Sequence, residues 1–122
     1  MYSKNDTLRV LRKNLDSELD VIKFYIDNKH KLNYGANKRK IDSLVADSFT
    51  HATLISQRML DLGKGIGYMD NKTRQRAYKE ETAVKEIYRY ELNRTLDKES
   101  AKLLKRLIKE ETKHERIVGS LK

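Results

Sequence analysis

The sequence predicts an all-α protein, a four-helix bundle built from two repeated helical hairpins. Three observations lead there. The 122 residues include no proline and only five glycines, while 37% are charged, and the abundant Glu, Lys, Arg and Leu favour helix. Apolar residues recur in steps of three and four along four segments, which is the period of one helix face. Slid against itself by 63 positions, the sequence also superposes on its own pattern. The length suits one domain, residues 1–122, with a modest core.

The first helix is expected from about Thr7 to Leu32, with Asp6 as its N-cap. Its seam reads Leu8, Leu11, Leu15, Glu18, Ile22 and Tyr25, broken only by the glutamate. Asn33 to Asn37 reads as a turn in which Asn33 or Gly35 takes the left-handed conformation. A second helix, about Lys38 to Leu62, carries Ile41, Leu44, Ser48, His51, Ile55 and Leu62, widened by Val45, Ala52 and Met59. These two helices make hairpin one, about residues 6–62.

Residues 63–72 hold three glycines and form the one expected linker. Hairpin two, about residues 73–122, begins with a helix from about Thr73 to Thr95. The seam of that helix holds Ala77, Glu81, Val84, Tyr88 and Glu91 or Leu92. Asp97 should cap the last helix, about Lys98 to Leu121, whose seam is Leu104, Leu107, Glu111, His114, Val118 and Leu121. Helices of roughly 24 residues are about 36 Å long.

Bulk properties exclude several functions. With no cysteine there is no disulfide, thiolate metal site or thiol catalysis. No stretch approaches the roughly 18 apolar residues of a membrane span, and the start lacks a signal-peptide core. A soluble, cytoplasmic protein is therefore expected. The balance of 27 Lys+Arg to 18 Asp+Glu, formally +9, would suit an anionic partner. Glu and Lys interleave, however, so Lys38–Lys40, the run Lys72, Arg74, Arg76, Lys79, and the set Lys102, Lys105, Arg106, Lys109 read as solvated faces. Nucleic acid is not the favoured partner. His30, without a matching partner, reads as a surface residue.

The polar intruders in the seams carry the chemistry. An unpaired ion among leucines costs several kcal/mol, so something must compensate it. Under the 63-residue shift Glu18 falls on Glu81, Tyr25 on Tyr88, Ser48 on Glu111 and His51 on His114, and both Glu-to-His intervals equal 33. Each hairpin thus pairs a seam glutamate on its first helix with a seam histidine on its second. Carboxylate and imidazole suit iron, manganese or zinc, and divalent cations would relieve the repulsion of carboxylates gathered in a dry bundle.

This arrangement resembles the ferritin-like di-iron carboxylate superfamily, nearest the small rubrerythrin and erythrin type. The resemblance rests on Glu81 with Glu111-x-x-His114, the repeat as Glu18 with His51, and the Glu-x6-Tyr phrases Glu18 to Tyr25 and Glu81 to Tyr88. It implies a ferritin-like bundle holding two divalent metal ions, iron before manganese or zinc. Glu18 and His51 would ligate one, Glu81 and His114 the other, and Glu111 would bridge them. Tyr25 and Tyr88 would orient the carboxylates. Ser48 departs from the pattern, which has a second bridging glutamate there, and leaves three options: an altered two-metal site, a single metal, or a lost one. The implied activity is reduction of peroxide or dioxygen, with electrons from a separate donor because the chain has no Cys-x-x-Cys iron site. The alternative is a non-catalytic bundle with a degenerate site, acting as a basic module for nucleic acid or protein. A crossover of ten linker residues reaches at most about 33–36 Å, barely a helix length, so a homodimer with exchanged hairpins is expected.

Overall fold

The computed structural model describes residues 3–63, 70–92, 94 and 96–122. Among them it contains four α-helices and no strand: α1 (Lys4–Asp27), α2 (Tyr34–Leu62), α3 (Asn71–Leu92) and α4 (Lys98–Gly119). None is long and apolar enough to cross a membrane. The chain divides into two compact units, Met1–Ile66 and Gly67–Lys122. In the first, α1 packs on α2; in the second, α3 packs on α4.

In the first unit α1 starts three residues earlier than the spacing suggests. Ser3, not Asp6, is the N-cap, its Oγ accepting the Asp6 N–H at 3.1 Å. Asp6 sits in the first turn instead, where its charge favours the helix dipole and pairs with Arg9 at 3.4 Å. The helix ends at Asp27, five residues short of Leu32, because Asn28 caps it twice. Both its backbone N–H and its side-chain amide donate to the Phe24 carbonyl. The chain then turns back through Asn33, which takes the left-handed conformation at φ 49°.

The expected turn over Asn33–Asn37 is one helical turn leading into a kink. Asn37 has non-helical angles (φ −111°, ψ 18°), and its amide donates to the Leu32 carbonyl at 2.9 Å. Regular helix therefore runs from Lys38, while α2 as a whole begins at Tyr34. The buried residues of this unit are Ile22 from α1 and Ile41, Ser48 and Ala52 from α2. Each buried isoleucine contributes about 1.5–3 kcal/mol. His30 is exposed, as expected.

In the second unit Asp70 caps α3, accepting the Thr73 N–H at 2.7 Å, a bond that holds its carboxyl below the usual range. The expected linker falls largely on residues 64–69, outside the described ones; of the rest, Asn71 and Lys72 belong to α3. The expected end at Thr95 is also outside them, and α3 closes at Leu92. Asp97 caps α4 as expected, with Oδ1 accepting the Ser100 N–H and Oδ2 the Ser100 hydroxyl, both at 2.9 Å.

Candidate metal centre

Glu81, near the middle of α3, points toward the C-terminal half of α4, where Glu111 and His114 leave one face three residues apart. His114 Nδ1 lies 3.3 Å from Glu111 Oε2 and 3.4 Å from Glu81 Oε2. One ligand atom from each of the three falls within 4.8 Å of the others. Among the described residues this is the one group of three such side chains. Glu111 is the most enclosed, with 14% of its side chain exposed, and its Oε2 is buried with no hydrogen-bond partner. His114 is 48% exposed, so a solute can reach the group from its side.

The electrostatics follow from crowding two carboxylates together. A hydrogen bond shared with Glu111, aided by burial and by the Glu111 charge, raises the Glu81 pKa, and His114 opposes that only in part. Burial pulls His114 down, but Glu111 and Glu81 together outweigh it, so its pKa is raised. The group thus recruits protons at Glu81 and His114 to offset its own negative charge. A metal cation would do the same.

The first unit brings together the other two expected ligands. His51 Nδ1 lies 3.4 Å from Glu18 Oε1, with His51 57% exposed. Ser48, at the position matching Glu111, is buried at 7% and supplies no carboxylate. Tyr25 and Tyr88 are half-buried. Neither hydroxyl hydrogen-bonds a carboxylate among the described residues, and the Tyr25 ring stands edge-on to Phe24 at 5.5 Å.

One polar feature beside the group was not expected. One turn beyond Glu81 and Glu111, Lys85 and Glu115 form a buried ion pair, and Thr82 donates to the same carboxylate. The Lys85 hydrogen bond, then that of Thr82, holds Glu115 below the usual carboxylate range. A signal existed in the sequence: the 63-residue shift lays Lys85 on Ile22 and Glu115 on Ala52, both core residues of the first unit.

Neither a family model, nor a curated protein, nor a solved structure matches the chain.

Proposed function

We propose that this chain is a rubrerythrin-like metal-binding protein with a carboxylate and histidine site, in which Glu81, Glu111 and His114 hold a divalent cation. The observation that carries the proposal is the convergence of Glu81, Glu111 and His114, whose ligand atoms lie within 4.8 Å of one another, with the buried Glu111 Oε2 3.3 Å from an imidazole nitrogen. Two ligands on one ion with bonds of about 2.1 Å stand roughly 3.0–3.4 Å apart, depending on the angle between them. Separations of 3.3 and 3.4 Å match that spacing and are long for the charge-assisted hydrogen bonds of a plain ion triad.

Glu18 and His51 would hold a second metal, with Glu111 as the bridge in a ferritin-like assembly of the two hairpins. Iron is the favoured occupant, with manganese or zinc as alternatives. Exposed Leu54 lines the same hollow as Glu18 and His51, exposed Val21 stands one turn from Glu18, and exposed Ile117 stands one turn from His114. Covering such residues favours closing each hairpin against another, within one chain or in an exchanged homodimer. The bound metal would supply electron exchange with peroxide or dioxygen. Reduction of hydrogen peroxide to two waters consumes two electrons and two protons, the electrons coming from a separate donor.

The test is metal content after growth with iron or manganese, for the natural protein and for Glu111→Ala. Metal retained by the first and lost by the second supports the proposal; equal content in both defeats it. Peroxide consumption with an artificial donor then decides whether the site turns over. A second reading is favoured by the buried Ser48 alone: a bundle that kept its fold and lost its chemistry, serving as a basic binding module.

A further inference from the structure

The seven basic residues of α4 are Lys98, Lys102, Lys105, Arg106, Lys109, Lys113 and Arg116, and all are exposed. At about 100° per residue they fall within an arc of roughly 100°, on the side of the helix turned away from α3. The acids of α4 lie elsewhere. Glu111 and Glu115 face α3, while Glu99 and Glu110 sit at the border of the arc. The stripe is about 27 Å long. Its centre forms a shallow groove of about 370 Å³ lined by Lys102, Lys105, Arg106, Lys109, Glu110 and Lys113.

A solvated face rarely segregates charge in this way. On α1, five basic and five acidic residues interleave around the helix, with Asp16 between Lys23 and Arg9 on the wheel. On α4 the pairs Lys98–Lys102, Lys102–Arg106, Lys105–Lys109 and Lys109–Lys113 are like charges four residues apart, an arrangement that weakens a helix. Among the described residues, one of the seven has an ion-pair partner: Arg106 reaches Glu110 at 3.1 Å. The mutual repulsion of the six other cations in one line weakens α4 slightly, and an anion on this face would relieve it.

The stripe also specifies what kind of anion. Leu103 and Ile117 are exposed beside the stripe, but the remaining apolar face of α4 packs on α3, so the helix lacks the free apolar face with which interfacial helices enter a lipid surface. The stripe has no aromatic ring on which an unpaired base could stack. Five of its seven cations are lysines, flexible point charges suited to phosphate rather than to forked contacts with base edges. We infer that the outer face of α4 binds the phosphate backbone of double-stranded nucleic acid, without regard to sequence. This surface is separate from the carboxylate and histidine group, and its test needs no metal.

The experiment is fluorescence anisotropy of the full chain, without added metal, on a 30-base-pair duplex of DNA or RNA across a salt series. If the stripe neutralises about four phosphates, log affinity falls with log salt at a slope near −4, roughly a hundredfold between 50 and 200 mM. Lys105→Gln/Lys109→Gln/Lys113→Gln should weaken binding at least tenfold and flatten the slope by about two to three. The equally neutralising Arg12→Gln/Lys13→Gln/Lys23→Gln on α1 should change affinity less than threefold. All six positions are exposed, and circular dichroism checks that both variants fold. Equal losses in the two variants would reduce the effect to net charge and overturn the inference. Tighter binding to single strands or to phosphatidylserine vesicles would overturn it as well.

Discussion

The Lys85 ammonium meets the Glu115 carboxylate between α3 and α4, at side-chain exposures of 11% and 8%, where the sequence shift lays Ile22 and Ala52. Two helix pairs of related pattern therefore fill corresponding positions by opposite means, one with a buried ion pair and one with buried apolar residues. The charged version sits one turn from Glu81 and Glu111, and it fixes how α3 lies along α4 at the point where those carboxylates converge.

Removing one partner strands the other. Lys85→Met should lower the thermal midpoint of the second unit by roughly 10 °C, because a buried carboxylate loses its counter-charge. The double change Lys85→Ile/Glu115→Ala, which installs the residues of the first unit, should recover most of that loss. Differential scanning calorimetry of the three proteins measures both effects. A single variant as stable as the natural protein would contradict the assigned pair.

The same pair gives stability a pH dependence on the acid side. Glu115 titrates lower in the folded chain than its ordinary 4.5, so the unfolded chain binds the proton more readily. Its contribution is present above about pH 4.5 and disappears as pH falls through the folded value. Urea midpoints between pH 3 and 6 should therefore drop more steeply for the natural protein than for Lys85→Ile/Glu115→Ala.

His114 has the opposite sign. Its raised pKa means that protonation stabilises the metal-free chain below the ordinary 6.5, and this support is lost as pH rises through the folded value. A metal must displace that proton, so affinity for manganese or zinc should climb with pH through and above 6.5. His114→Ala should weaken binding at least tenfold and flatten the climb. Isothermal titration calorimetry at several pH values, in buffers of different ionisation enthalpy, reads out both affinity and protons released.

Ser48→Glu tests the departure from the ferritin-like pattern. The side chain is buried at 7%, so a carboxylate there is costly without a cation. The metal-free variant should melt lower than the natural protein. It should also gain more from added metal, and at metal a hundredfold above the dissociation constant that gain is about 2.7 kcal/mol. Melting with and without manganese separates these effects. A variant stabilised equally in both conditions would mean that position 48 does not face a metal.

The helices were legible because their signal is repeated along each segment. Steps of three and four, together with the absence of proline, gave four helices of the right order, and Asp97 gave the start of α4. The ends were less legible because capping is a competition between nearby candidates. Ser3 outcompeted Asp6 for the start of α1, and the Asn28 side chain closed the helix before its apolar pattern ran out. In the candidate site, the common face of Glu111 and His114 could be read from their three-residue separation, and the seam positions of Glu18, His51 and Glu81 from the 63-residue repeat, while which glutamate would share a metal with which histidine came only from the ferritin-like resemblance. The Lys85–Glu115 pair escaped because isolated charges in a chain with 37% charged residues read as surface. Only their alignment with Ile22 and Ala52 marks them as interior.

That alignment also bears on how the chain finds its own partners as it folds. A sequence whose halves echo each other risks joining α1 to α4, or α3 to α2. The first mistake would press Glu115 against Ile22, and the second would enclose the Lys85 ammonium beside Ala52, each without an opposing charge. A single buried ion pair thus acts as a key that only one helix fits, and a chain carrying Ile and Ala in both halves would lose its safeguard against mispaired, tangled products.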